Sequence, residues 1–477
     1  MRKQTYKKDF ETIAIVGSGQ IGTSIAMDVA NRFPDRRVFL YDVRDGFEED
    51  VRTAFKNAKI STARVVFCTS PERLLDAELV VLAAPVDQFA AAVRKVGKCI
   101  DPGAIVIDVG SVKEAPAKDI REALDLCRRY GVEHVSCHPM NGNAGSGALS
   151  ARTDLFDGKP VIMVPEKEKL FGVISRLNET EQKVAEFWRS MGGGVQLMSA
   201  KKHDEIVATT SHLEHLLAFS LMNSPFVKKY LDEQEALDVN KRALPGPWFE
   251  GMTRIADANP GMWLPILMAN KKNVISAVMN FRDVSMKVEL LLSCCIKQNK
   301  GHLPDRTRES THHVREFLSG TREYAKRLIL KSGYSQGDSS ARNEGKDFAD
   351  IALFLSAAIS QNAKNLEKKT GHALAPIANR SFKDGLYPIA SSGEPCHLNV
   401  IGSAPLRTRI EEFSGELKEL LSLITEDKWD AVGAKIETAA QNRTRLMALK
   451  DNVCAAVPSA AAGALVKGAT RDGPGLF

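Results

Sequence analysis

The feature that most constrains this chain is a glycine pattern close to its start. Gly17-Ser18-Gly19-Gln20-Ile21-Gly22 follows an apolar, β-branched run, Thr12–Val16, and opens a stretch of helical period, Ile21–Arg32. Each glycine answers a separate steric demand. Gly17 permits a tight turn, Gly19 lets backbone approach a pyrophosphate, and Gly22 lets the helix pack close to the strand. The helix N-terminus, at Gln20 and Ile21, offers N–H groups and partial positive charge to phosphates. Asp42 ends the second strand, Arg37–Asp42, twenty residues after Gly22. A carboxylate there accepts hydrogen bonds from ribose hydroxyls and repels a 2′-phosphate, so the expected cofactor is NAD. Arg44 keeps NADP open, because a guanidinium can bind that phosphate; its plainer role is a solvated loop charge.

The rest of the first 165 residues alternates in the same manner. Further apolar runs fall at Arg64–Phe67, Leu79–Ala83, Ala104–Asp108 and Pro160–Val164, between helix-period stretches such as Val86–Val96 and Lys113–Arg129. Continuous apolar strands between helices imply a mainly parallel, doubly wound sheet, an α/β Rossmann fold. Ala84 and Pro85, just past Leu79–Ala83, join the glycine turn as expected cofactor contacts.

Beyond about Leu197 the strand signal fades. Lys202–Tyr230 reads as one long helix, Asn259-Pro260-Gly261 punctuates the chain, and Met262 to about Lys297 and Asp305–Lys331 read as helices. Ser332–Glu344 is rich in Gly and Ser and reads as a linker. Stretches 346–370, 394–423 and 427–450 are helical again, and the tail from Pro458 should fray. The expected organisation is a dinucleotide-binding domain over 1–197, an all-α substrate and dimerisation domain over 198–331, and a linker over 332–345. A further helical domain over 346–455 and a tail over 456–477 complete it.

Composition supports a folded chain with room for several cores. At ~150 residues per domain, 477 residues suggest three domains. The hydrophobic share of 44% and charged share of 26% exclude a mostly disordered or disulfide-stapled chain. A net charge of +6 is mild and calls for no nucleic-acid partner. The eight cysteines are scattered, as reduced thiols of a cytoplasmic protein would be. Met1–Phe10 lacks an apolar core for a signal peptide, and no run reaches the ~18 apolar residues that suggest a membrane span.

Further motifs carry a family resemblance. Asp108-Val109-Gly110-Ser111-Val112-Lys113 is followed by His138-Pro139-Met140-Asn141-Gly142 and Asp154-Leu155-Phe156. Then come Ser211-His212-Leu213-Glu214-His215, Thr253-Arg254-Ile255-Ala256 and Asn259-Pro260-Gly261-Met262-Trp263. Their order and spacing, over about residues 11–330, resemble prephenate dehydrogenase and the related arogenate dehydrogenase. The resemblance implies a Rossmann domain followed by a helical domain that commonly forms a dimer. It also implies oxidative decarboxylation of a cyclohexadienol to a phenol. Such chemistry needs a base near the hydroxyl, cationic groups for carboxylates and a dry pocket beside the nicotinamide.

By that resemblance His138, expected after a strand Glu133–Cys137, accepts the hydroxyl proton, and Ser111 bonds the hydroxyl or orients His138. Ser111 could equally cap the helix from Lys113. His215 points toward substrate and His212 supports the site. Three residues apart on a helix, they share a face, but no third metal ligand is evident. Arg254 suits a carboxylate in two-point geometry, or else pairs with Asp257. Trp263 is either packing or contact. Two departures stand out: Glu214 and Gly251 replace the family's more usual Pro and Asp.

The absence of an acid in Asn141–Gly147 leans toward prephenate rather than arogenate, whose ammonium would attract a carboxylate; Glu214 argues the other way. Residues 345–455 exceed the usual family length. At an offset of 134, Gly251, Ile255, Ala256 and Leu264 recur as Gly385, Ile389, Ala390 and Leu398, while Arg254 becomes Pro388 and Trp263 becomes His397. The segment reads as a decayed copy of the substrate domain, either in a homodimer or as an internal pseudo-partner that leaves the chain monomeric. Other β-hydroxyacid dehydrogenases are disfavoured because no Gly-Asn-x-x-x-Lys occurs. A non-catalytic regulatory or scaffolding descendant is disfavoured by the intact His138, Ser111, His215 and Arg254.

Overall fold

A computed structural model of the chain describes residues 10–74, 76–129, 131–141, 145–165, 177–244, 247–299, 319–321, 323–327, 346–371, 373–374 and 404–456. The linker, the tail from Pro458, most of the expected helix Asp305–Lys331 and the second copy of the repeat, Gly385 to Val400, lie outside the described residues. The chain forms two compact units, Met1–Glu205 with Met268–Asn270, and Ile206–Leu267 with Lys271–Phe477.

The first unit is a Rossmann-type α/β domain. Its strands are β1 (Thr12–Val16), β2 (Arg37–Tyr41), β3 (Val65–Cys68), β4 (Leu79–Leu82), β5 (Ile105–Asp108), β6 (Glu133–Pro139), β7 (Pro160–Val164) and β8 (Gly194–Leu197). Among the described residues they make one sheet in the order β3-β2-β1-β4-β5-β6-β7-β8. All pairs are parallel except β6 with β7. Helices α1 (Gln20–Arg32), α2 (Phe47–Asn57), α3 (Phe89–Val96), α4 (Glu114–Leu126) and α5 (Glu179–Ser190) connect them. Ile13, Ile15, Val38, Leu40 and Val81 of the strands join Ile25 and Val29 of α1 in the core, with no exposed surface. α5 begins at a capping box, in which Asn178 and Glu181 satisfy each other's backbone N–H groups. β8 alternates Val195 and Leu197, which pack against the core, with Gly194 and Gln196, but four residues are too short to stand out as a strand in the sequence.

Two corrections concern element ends. β6 does not stop at Cys137 but runs through His138 to Pro139, because its last residues pair with β7. The expected single helix Lys202–Tyr230 is broken into α6 (Ala200–Val207), a π-helical turn (Ala208–His212), α7 (Leu213–Asn223) and α8 (Pro225–Ala236). Pro225 has no N–H to continue α7, and instead stands at the start of α8.

The second unit is helical. After α8 come α9 (Pro247–Thr253), a 3₁₀ turn (Arg254–Asp257), α10 (Pro260–Ala269), α11 (Lys271–Asn299), α12 (Lys346–Thr370), α13 (Ala404–Thr425) and α14 (Trp429–Ala456). Every residue from Leu213 to Met222 is buried, so α7 is a central helix enclosed on all sides. Both α13 and α14 pack on it, and α14 also lies along α8 and the 3₁₀ turn. Side chains fasten the contact: Asn442 Nδ2 donates to Met222 O at 2.9 Å and Asn223 Nδ2 to Lys435 O at 2.9 Å. Arg445 reaches Asp232 and Glu235 at 2.7 and 2.6 Å. Residues 404–456 thus belong to the same core as α7 and α8. Among the described residues no helix is long and apolar enough to cross a membrane.

Candidate functional site

The glycine turn bears out its steric logic. Gly17 has φ +109°, and a Cβ there would lie 2.6 Å from Ala83 O and 2.9 Å from Ala84 N. Ala84 thus packs against the turn, and Pro85 follows it into the 3₁₀ turn Val86–Gln88. A Cβ on Gly22 would sit 2.0 Å from Gly17 O, whereas one on Gly19 would meet nothing within 4 Å. No side chain caps α1 at Gly19. Open space therefore stands before a helix start whose first turn has no intrahelical acceptors, which fits a bound pyrophosphate. Ile21 opens α1 beside Gln20, whose Nε2 donates to Ser150 O at 3.1 Å.

Asp42 lies just past β2. Its Oδ2 accepts from the N–H and the hydroxyl of Ser18, both at 2.7 Å, and its Oδ1 from the Arg44 N–H at 2.9 Å. Burial would raise its proton affinity, but these bonds with Ser18 and Arg44 hold the carboxyl below its ordinary value. Arg44 is more than a solvated charge, since Nη2 donates to Ser18 Oγ at 2.9 Å. A cavity of about 560 Å³ opens here, lined by Asp42, Arg44, Arg52 and Lys95 among others.

β5 and β6 are locked together by a buried ionic cluster. Lys113 Nζ stands 2.5 Å from both Asp108 Oδ1 and Cys137 O, and Asp108 Oδ2 takes bonds from His134 at 2.9 Å and Ser136 at 2.6 Å. Burial opposes its charge, yet Lys113 and His134 hold the Asp108 carboxyl far below the usual range. β6 runs beyond its last pair with β5, Asp108 with Ser136, so His138 projects at the carboxyl edge where such sheets bind ligands.

His138 Nδ1 lies 2.8 Å from His203 Nε2, and His203 Nδ1 lies 2.7 Å from Asp204 Oδ1. Asp204 also accepts the N–H groups of Lys113 and Glu114, both at 2.9 Å. It therefore caps α4, a role that Ser111 does not fill; Ser111 stands half-buried just after β5, with Lys113 as the cap residue. As an acceptor, Asp204 makes His203 Nδ1 a donor and leaves its Nε2 a lone pair. Burial holds His203 near 3, so it stays neutral. His138 Nδ1 must then donate, which places the lone pair of its neutral ring on Nε2. The resemblance does not single out His203 or Asp204. The visible signal was a His-Asp pair at the start of a helix.

In the helical unit, His215 stacks on Trp263, with ring centres 3.5 Å apart at 29°, and His212 meets the same indole edge-on at 6.0 Å. The structure thus brings His212, His215 and Trp263 together. His215 Nδ1 donates to Ser211 O at 2.9 Å, so Nε2 of the neutral ring is an acceptor. Burial pushes this ring down to about 3, with the charges of His212 and Arg254 acting the same way. Arg254 itself is half-buried at the start of the 3₁₀ turn. Glu214 is buried with no hydrogen bond to Oε1 among the described residues, and burial raises its carboxyl well above the ordinary range.

Comparison with known proteins identifies the family of both units. Residues 26–196 match the family model described as prephenate dehydrogenase, nucleotide-binding domain, and residues 199–302 match prephenate dehydrogenase, dimerization domain. A cyclohexadienyl dehydrogenase of Zymomonas mobilis is 29% identical over 57% of this chain and 85% of its own length. A prephenate dehydrogenase of Bacillus subtilis is 27% identical over 56% and 66%. The crystal structure of prephenate dehydrogenase from Aquifex aeolicus, in complex with hydroxyphenyl propionate and NAD+, is 26% identical, with TM-score 0.51 over 67% of this chain and 98% of that one. The glycine turn, the edge histidine and both matched domains lead to one conclusion: the chain belongs to the prephenate dehydrogenase family of oxidoreductases, with a Rossmann-type NAD-binding domain.

Proposed function

We propose that this chain converts prephenate to 4-hydroxyphenylpyruvate and carbon dioxide, with NAD as the hydride acceptor, in tyrosine biosynthesis. The observation that carries the proposal is the orientation of His138, whose Nε2 lone pair is fixed through His203 by Asp204. In this reading Nε2 takes the proton of the ring hydroxyl, with Ser111 as a hydrogen-bonding neighbour. When bound, the nicotinamide supplies the site to which hydride leaves the same ring carbon. Loss of the ring carboxylate as carbon dioxide then yields a phenolate, which takes the proton back. Arg254 binds a substrate carboxylate, the neutral His215 accepts a hydrogen bond, and His212 and Trp263 hold that ring in place.

NAD is favoured over NADP because Asp42 stands at the ribose position with its charge stabilised by Ser18 and Arg44. Prephenate is favoured over arogenate because burial disfavours the charged form of Glu214, the nearest candidate for an ammonium partner in sequence. Reduced-cofactor formation measured with each substrate and each cofactor tests both preferences. Prephenate with NAD should give the highest kcat/KM, and His138→Asn should abolish it. Equal or higher efficiency with arogenate would replace the substrate assignment.

The helical unit suggests how the chain assembles. α7 lies within the dimerization-domain match, but α13 and α14, which cover it, lie beyond residue 302. In this reading they stand where a second subunit would otherwise pack, as a built-in pseudo-partner.

A further inference from the structure

α14 brings a buried guanidinium to the segment that carries Arg254. Arg443 is only 6% exposed, and its Nη1 donates to Thr253 Oγ1 at 3.1 Å. Thr253 is itself buried and gives its own proton to Phe249 O at 2.8 Å. α14 runs along the 3₁₀ turn Arg254–Asp257. Burial weakens the charged form of Arg443; Glu250 and Asp257 favour it, and Arg254 opposes it. Yet Glu250 is already paired with Lys450 at 2.5 Å, and Asp257 is exposed. Among the described residues no carboxylate lies within ion-pair distance of Arg443. A buried cation near a second cation, with a hydroxyl as its hydrogen-bond partner, is costly until an anion completes it.

Anchoring does not explain the guanidinium. Asn442, Arg445 and Lys450 already fasten α14 to α7, α8 and α9 with neutral or fully paired bonds. A planar guanidinium on the helix that runs along the turn of Arg254, close enough for the two charges to oppose each other, instead offers two-point donation to carboxylate oxygens. Resting on the reading of Arg254 as a substrate ligand, we propose that Arg443 is a second cationic residue for the carboxylates of the substrate, contributed by a helix outside the family match. The C-terminal segment then completes the binding surface for the dianion as well as covering α7.

The test compares Arg443→Met, Arg443→Lys, Thr253→Val and Arg254→Lys in the full chain, by steady-state kinetics, thermal melting and titration with the cofactor alone. Arg443→Met should raise the KM for prephenate by about thirtyfold or more, with a smaller change in kcat and unchanged cofactor affinity. Arg443→Lys should recover part of the loss, because charge is retained and the fork is not. Thr253→Val keeps both guanidinium groups and should cost much less than Arg443→Met. A folded Arg443→Met protein with wild-type KM overturns the proposal, as does a Thr253→Val defect equal to that of Arg443→Met, which would assign Arg443 a purely structural role. If Arg254→Lys also leaves KM unchanged, the underlying assignment of Arg254 fails; if Arg254→Lys alone raises it, only the role of Arg443 does.

Discussion

His138 Nδ1 and His203 Nε2 lie 2.8 Å apart, and this single distance decides which nitrogen of His138 can act as a base. The direction of the bond is imposed from Asp204, whose carboxylate also takes two N–H groups at the start of α4. Asp204→Leu removes the acceptor for His203 Nδ1, so nothing then fixes the tautomer of His203 or holds the His138 lone pair on Nε2. A positioned general base contributes about 10²–10⁴-fold. Asp204→Leu should therefore lower kcat by about 10²-fold with little change in KM, and His203→Leu should do the same. Wild-type kcat in both variants would refute the assignment.

The same burial makes the fold sensitive to acid. His203 and His215 are each depressed from 6.5 to about 3. As pH falls through 6.5 the unfolded chain takes up protons that the folded chain refuses until about 3. The stability is present above this window and is lost across it. The melting temperature should fall from roughly pH 7 to pH 5, and His215→Asn should flatten that slope. An unchanged slope would show that the ring is already solvated in the folded state.

Glu214 has the opposite sign. Its folded carboxyl holds a proton well above 4.5, so stability is full below 4.5 and declines as pH rises toward the folded value. Glu214→Gln copies the protonated form without that decline. It should raise the melting temperature at neutral pH, change it little near pH 4, and leave the ratio of prephenate to arogenate efficiency unaltered. A shift of that ratio toward prephenate would instead make Glu214 an ammonium partner.

The legible parts of this chain were those with strong local signals. The glycine turn, the strands through Asp108 and the edge position of His138 followed from period and sterics. The His203–Asp204 support did not, because it joins a helix to a strand edge across 65 residues, and no periodicity encodes that meeting. The break at Ser224 is masked in the sequence, despite Pro225, because the flanking apolar pattern continues through it. Arg443 looked like one more charge on a C-terminal helix. Its burial depends on packing with Thr253, 190 residues away.

The glycine turn separates folding from binding. Gly19 has φ −70°, and a Cβ there meets nothing within 4 Å. Gly19→Ala should fold with a wild-type melting temperature yet bind NAD at least about tenfold more weakly, because the methyl enters the pyrophosphate space. Gly22→Ala forces its Cβ to 2.0 Å from Gly17 O and should lower stability and binding together. Full NAD affinity in Gly19→Ala would mean that the pyrophosphate does not approach this turn.

The pseudo-partner makes a prediction about assembly. Leu213, Leu216, Leu217, Phe219 and Leu221 are nearly inaccessible on α7, and the helices packed on it include α13 and α14. Truncation at about Ser339 removes both, together with Asn442 and Arg445, which fasten α7 and α8. The exposed leucines and Phe219 must then find another apolar surface, because leaving a Leu side chain in water costs about 1.5–3 kcal/mol. The full chain should be monomeric by light scattering, whereas the truncated chain should dimerise or aggregate. A soluble truncated chain with the same oligomeric state as the full one would show that α7 needs no such cover and that the C-terminal helices do not replace a subunit.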